Sequence, residues 1–145
     1  MSWSLKDAYG AVQTFVSDVS AGIHTAVHGV APRTAGGLSI FRSLDVQPTG
    51  VVIKGSAGQL YVIRFTNQAN ATRYLKFYDK ATAPASTDTP VLTFVALASQ
   101  SHEVSIIDIG AQFVSGIGVR ATTGIADNDT GAPATNDVVL NAFYF

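Results

Sequence analysis

The sequence predicts an all-β fold: an antiparallel β-sandwich, jelly-roll-like, of about eight strands, preceded by an N-terminal arm. Two observations predict it. From Leu38 to Phe145, short apolar segments alternate with polar residues at near-regular spacing, with Gly, Pro, Asn and Asp between them. This is the pattern of strands joined by turns. The composition adds a second clue: 47% of the 145 residues are hydrophobic and only 13% are charged, against about 25% charged in an average soluble domain. A chain so poor in charge either buries an unusual share of itself or keeps part of its surface for an interface.

Residues 1–36 read as an arm and residues 37–145 as the sandwich domain. In the arm, Leu5, Ala8, Val12, Phe15, Val19 and Ala26 fall at helical or heptad-like spacing, and Ser4 is a possible N-cap. Gly10, Gly22 and Gly29 oppose a helix, each costing about 1 kcal/mol in its interior. Val12, Thr14 and Val16 alternate, as do Ile23, Thr25 and Val27, and such β-branched runs favour extended backbone. Helix and extended arm both stay open. Pro32 and Gly36-Gly37 form a joint to the body.

The strands follow in order. Leu38 to Val46 places Leu38, Ile40, Leu44 and Val46 on one face, and Pro48-Thr49-Gly50 turns the chain. Val51 to Lys54 is short. In Leu60 to Thr66, Tyr61, Ile63 and Phe65 face the core. In Thr72 to Asp79, Leu75 and Phe77 point in, and Tyr74, Lys76 and Tyr78 point out. Ala81 to Pro90 is a long loop. Val91 to Leu97 is apolar on both faces, which predicts a central strand. From Glu103 to Ile109 the alternation slips between Ile106 and Ile107, the mark of a bulge. In Gln112 to Ala121, Gly116 and Gly118 allow close approach of another backbone. Thr122 to Asn136 is a second long loop, and Asp137 to Phe145 is the last strand.

Several function classes find little support. Net charge is −1, so no basic excess exists to neutralise phosphates, and no nucleic-acid partner is expected. No apolar run approaches the roughly 20 residues a helix needs to cross a bilayer, so no membrane partner is expected, and the N-terminus lacks a secretory signal pattern. The absence of cysteine removes disulfides and thiolate metal sites. His24 and His28 share a helical spacing but have no third ligand nearby, and His102 beside Glu103 gives no triad signal. Asp127-Asn128-Asp129, with Asp137 beyond, places oxygens in one loop without the EF-hand spacing, and reads as turn chemistry. Any pair among Asp79, Asp88, Glu103 and Asp108 could serve a glycosidase, yet none sits in an aromatic, polar-lined context. The expectation is a protein with no catalytic residues, cofactor or metal. Asn70-Ala71-Thr72 and Asn128-Asp129-Thr130 match the short glycosylation pattern. Tyr74 and Tyr78, flanking Lys76, suit either an exposed aromatic interface or cross-strand packing.

Three stretches carry a family resemblance: Gly50 to Tyr61 (GVVIKGSAGQLY), Leu75 to Pro84 (LKFYDKATAP), and the close of the chain through Gly116 to Val119, Asp127 to Pro133 and Asn136 to Leu140. Over residues 38–145 the chain resembles small virion proteins of tailed bacteriophages with a β-sandwich body. The first 36 residues depart from that pattern. The resemblance implies a structural, non-enzymatic protein of the virion, assembled in the bacterial cytoplasm. The leading expectation is a capsid decoration or cement protein, a homo-oligomer and specifically a trimer, bound to the major capsid protein. The arm residues Val12, Phe15, Val19, Ile23 and Val27 would anchor it to the capsid or to sister subunits. The alternative is a tail, baseplate or fibre component that meets the host surface through Tyr74, Tyr78 and the Thr122–Asn136 loop.

Overall fold

The computed structural model describes residues 37–106 and 109–145 in full and, within the first 36, the backbone of Trp3–Lys6 and Val12–Phe15. The chain divides into two compact units, Met1–Gly36 and Gly37–Phe145. In the first, β1 (Trp3–Lys6) and β2 (Val12–Phe15) pair antiparallel, Trp3 opposite Phe15 and Lys6 opposite Val12. Over these residues the arm is extended, not helical. The β-branched Val12 and Thr14 lie in β2 and fit a pleated strand better than a helical turn. Val19, Ile23, Val27, His24 and His28 lie outside the described residues.

The second unit is an antiparallel β-sandwich. Its strands are β3 (Ser39–Ser43), β4 (Val51–Lys54), β5 (Gly58–Asn67), β6 (Arg73–Asp79), β7 (Leu92–Ala96), β8 (Gln100–Ser105), β9 (Ala111–Phe113), β10 (Ile117–Thr122) and β11 (Val138–Tyr144). A 4-stranded sheet runs β4-β10-β6-β7 and a 5-stranded sheet runs β3-β11-β5-β8, with β9 also on β5. β8 pairs with Val62–Asn67 and β9 with Gly58–Leu60. The two therefore follow one another along β5, with an interruption between Ser105 and Ala111; the bulge expected between Ile106 and Ile107 falls where the chain passes outside the described residues. With that interruption counted once, the body has the strand number expected. Ile107 and Asp108 lie outside the described residues.

One apolar core fills the space between the sheets. Ile53, Leu75, Phe77, Ile117, Val119 and Ala121 come from one sheet, and Leu60, Ile63, Phe65, Phe113, Leu140 and Ala142 from the other. Phe94 ties the two sheets, 6.0 Å from the Phe65 ring and 5.9 Å from the Phe77 ring. Burial of such side chains supplies the main driving force, roughly 1.5–3 kcal/mol each.

Four expectations are corrected. β7 is an edge strand; the strand buried throughout is β10, between β4 and β6. The second face of β7 is apolar but open, with Val95 exposed. In β5, Leu60 rather than Tyr61 lies in the core. Phe143 pairs with Val62 and Tyr144 with Leu60, so Tyr61 is an extra residue that shifts the inward set. In β3, Phe41 packs on the core while Leu38, Ile40 and Leu44 are exposed; of the expected face only Val46 is buried. On β6, Lys76 and Tyr78 do point away from the core, yet both are buried.

Candidate functional site

The outward faces of the two sheets differ in kind. That of the β4-β10-β6-β7 sheet is roofed over β10 and β6 by the loops at residues 80–91 and 123–137, and is open over β7. Gly116, just before β10, and Gly118 and Arg120 within it fall at alternate positions along one face. A Cβ at Gly116 would lie 2.6 Å from Ala81 Cα, and one at Gly118 would lie 3.0 Å from Pro84 Cδ. Only glycine lets the first loop settle this closely.

Under the roof lie Lys76, Tyr78 and Arg120, with 0%, 1% and 1% of their surface exposed. Arg120 donates from Nε to Pro48 O (2.7 Å), from Nη1 to Ala85 O (3.1 Å) and Tyr78 Oη (3.2 Å), and from Nη2 to Asp129 O (3.0 Å). One guanidinium thereby joins three loops to the sheet. Lys76, directly opposite Arg120 in the ladder, donates to Ala126 O at 2.5 Å. Like charges placed opposite repel, and the roof answers with acid. Burial lowers the Lys76 pKa, the Asp129 charge opposes that shift and the Arg120 charge adds to it. Burial raises the Tyr78 pKa, against the hydrogen bond and charge of Arg120. Asp129 Oδ1 accepts from the Gly124 and Gly131 amides and so shapes its own loop.

Several other carboxylates have structural partners. Asp79 accepts from the Val114, Ser115 and Gly116 amides, which holds its pKa below the usual value, the Ser115 bond most of all. Asp88 accepts from the Ala85 amide and from Lys80 Nζ, and its pKa is lowered by both, the amide first. Asp137 takes a two-nitrogen contact from Arg73, at 3.0 and 2.8 Å, and the Ala134 amide. Glu103 pairs with Arg64 on the other sheet, and Asp108 lies outside the described residues. The structure thus gives Asp79, Asp88 and Glu103 separate partners. Among the described residues no group of three or more His, Asp or Glu could hold a metal ion. His102 stacks on Phe65 with centroids 5.0 Å apart, and its Nε2 accepts from the Leu97 amide at 3.2 Å.

The expected aromatic face does not form as drawn. Tyr78 is sealed beneath the roof as the hydrogen-bond partner of Arg120. Tyr74 is half-buried and lies opposite Val95 of β7. There it borders an apolar stripe, expected in the interior but open to solvent: Val91, Val95 and Leu97, exposed by 54%, 46% and 46%. No charged residue stands between Asp88 and Glu103, so this edge lacks the charges that usually blunt an exposed strand. A further apolar set, Leu38, Ile40, Ile109, Val114 and Phe145, is exposed on β3 and around the β9 and β11 ends.

The outward face of the β3-β11-β5-β8 sheet is open and mostly polar. A depression of about 390 Å³ there is lined by Arg64, Thr66, Ser101, Glu103 and Asn141, among others. Arg64 Nε donates to Glu103 Oε2 at 2.6 Å, and the Thr66 and Ser101 hydroxyls are 2.8 Å apart. No family model, curated protein or solved structure matches this chain.

Proposed function

We propose that the chain is a non-enzymatic structural subunit of a tailed-bacteriophage particle, a capsid decoration or cement protein that associates with itself and with the major capsid protein. The observation that carries the reading is the uncharged apolar edge of β7, where Val91, Val95 and Leu97 stand exposed beside Tyr74. A strand edge of this kind is a template for pairing with another chain. In a chain with 13% charged residues it is best explained as surface kept for assembly.

Two further features support the reading. The order β3-β11-β5-β8 against β4-β10-β6-β7 is read as two nested Greek keys, the jelly-roll arrangement found in viral capsid and lectin domains. The arm, whose described part is extended, would add Val12, Phe15, Val19, Ile23 and Val27 as an anchor, and a closed oligomer, a trimer in the expected form, would cover the edges. The open polar face favours a second reading, a tail, baseplate or fibre component at the host surface.

The test is the mass of the purified protein in solution, alone and then mixed with particles that lack it. A stable oligomer that saturates capsids at a fixed ratio to the shell protein supports the cement role. A monomer that ignores capsids overturns it, and binding confined to tails moves the protein to the second reading.

A further inference from the structure

The open face of the β3-β11-β5-β8 sheet carries one continuous polar row. Register places Arg42 of β3 opposite Asn141 of β11, Asn141 opposite Arg64 of β5, and Arg64 opposite Glu103 of β8. Inward neighbours on the same strands (Phe41, Ile63, Leu140, Val104) pack on the core, so the pleat turns the whole row to solvent. Adjacent strands lie about 4.8 Å apart, which sets the backbones at Arg42 and Arg64 about 10 Å apart.

The row has donors to spare. Arg64 meets Glu103 through Nε, so its two terminal nitrogens are free of that ion pair. Among the described residues Arg42 has no ion-pair partner. Two guanidinium forks, matched to carboxylate geometry, thus flank an amide. The row holds more positive than negative charge on a chain whose net charge is −1. On one side lie the Thr66 and Ser101 hydroxyls. On the other is an apolar row in which Phe143 pairs with Ile40 and Val62.

We infer that this face binds a carboxylate-bearing polysaccharide. The arginine forks take carboxylates. Glu103, Asn141, Thr66 and Ser101 exchange hydrogen bonds with sugar hydroxyls, and the half-buried Phe143 ring accepts the apolar face of a sugar ring. Glu103 argues against a partner recognised by negative charge alone, because a carboxylate at the row's end repels a bare polyanion while it accepts from hydroxyls. The inference does not rest on the virion reading, since it concerns the face of the isolated chain.

The test is retardation of the full chain in native gels cast with polygalacturonate, with neutral dextran or with poly-L-glutamate. Retardation by polygalacturonate that weakens with salt and exceeds that by the other two polymers is expected. Arg42→Gln should weaken it about tenfold, the worth of one charge-assisted contact. Arg42 is exposed, so the variant keeps its fold, as its unfolding temperature will report. Phe143→Leu should weaken retardation without altering its salt dependence. No retardation by polygalacturonate, equal retardation by poly-L-glutamate, or an unchanged R42Q protein would each overturn the proposal.

Discussion

Replacing Arg120 by methionine is the sharpest test of how the roof is held. Methionine fills much of the volume of the arginine stem, so the effect isolates the guanidinium. Its loss strips donors from Pro48 O, Ala85 O, Asp129 O and Tyr78 Oη. A buried acceptor left without a partner costs about 1–3 kcal/mol; here only the Tyr78 bond is buried and the three carbonyl bonds are part-buried, so each of those counts toward the lower end. Part of that sum is offset, because a buried cation no longer has to be desolvated and because loops can open to let water reach the carbonyls. The net loss expected is about 3–5 kcal/mol, a large share of the roughly 5–15 kcal/mol that holds a domain together. For a body of this size it corresponds to roughly 12–20 °C in Tm. Urea unfolding gives the energy, and limited proteolysis gives its location: new cuts should fall within 81–90 and 123–136, the two roof loops among the three the side chain ties down. Arg120→Lys keeps the charge but not the fork, and should recover less than half of the loss. If R120M costs under about 1 kcal/mol and leaves both loops protected, the three-loop tie does not hold the roof.

The remaining predictions concern the core, the roof and the edge. Phe77→Ala, at a fully buried site, should cost about 3–5 kcal/mol in denaturant unfolding. Gly116→Ala drives a Cβ to 2.6 Å from Ala81 Cα, with Lys54 O at 2.8 Å, and should cost about 1–3 kcal/mol by overpacking. In an alkaline titration followed by tyrosinate absorbance, one of the 5 tyrosines should ionise above the ordinary value of 10.0, and Tyr78→Phe should remove that step. Because the raised pKa belongs to the folded state, the stability it represents is present below pH 10.0 and disappears as pH rises through the higher folded value. Asp79 and Asp88 act in the opposite direction. Their lowered pKa values give stability that is complete above 3.8 and is lost as pH falls through the folded values, so Asp79→Ala should flatten the acid limb of a Tm-against-pH curve. If the β7 edge is the proposed assembly surface, light scattering should give a mass above the monomer's for the parent chain and the monomer's mass for Val95→Lys, with the unfolding of the monomer unchanged.

The alternation of apolar residues suffices to read the all-β fold and the two long loops. It fails where periodicity cannot see what lies across a face. β7 and a buried central strand share the same apolar pattern, and only the sheet order separates them. Lys76, Tyr78 and Arg120 obey the outward half of the pattern, and their burial comes from loops distant in sequence. A signal was present: Gly116 and Gly118 share a face with Arg120, and two glycines there announce an overlying backbone. The polar row on the open face was not legible, because Arg42, Asn141, Arg64 and Glu103 become neighbours only once the register of four strands is set.

The position of the last two strands has a consequence for synthesis. β10 lies between β4 and β6, and β11 lies between β3 and β5. As the chain leaves the ribosome, neither sheet can close until the interior strand arrives from behind, and until then β4 and β6, like β3 and β5, lack the partner that joins them. β5 can pair with β8 and β6 with β7 before then, but β3 and β4 have no partner until β11 and β10 are made, and the two sheets are completed almost together. Folding of this kind is slow, because distant segments must meet before any contact rewards them. It leaves a long interval in which a holding chaperone, or a second nascent copy, can reach the exposed edges first.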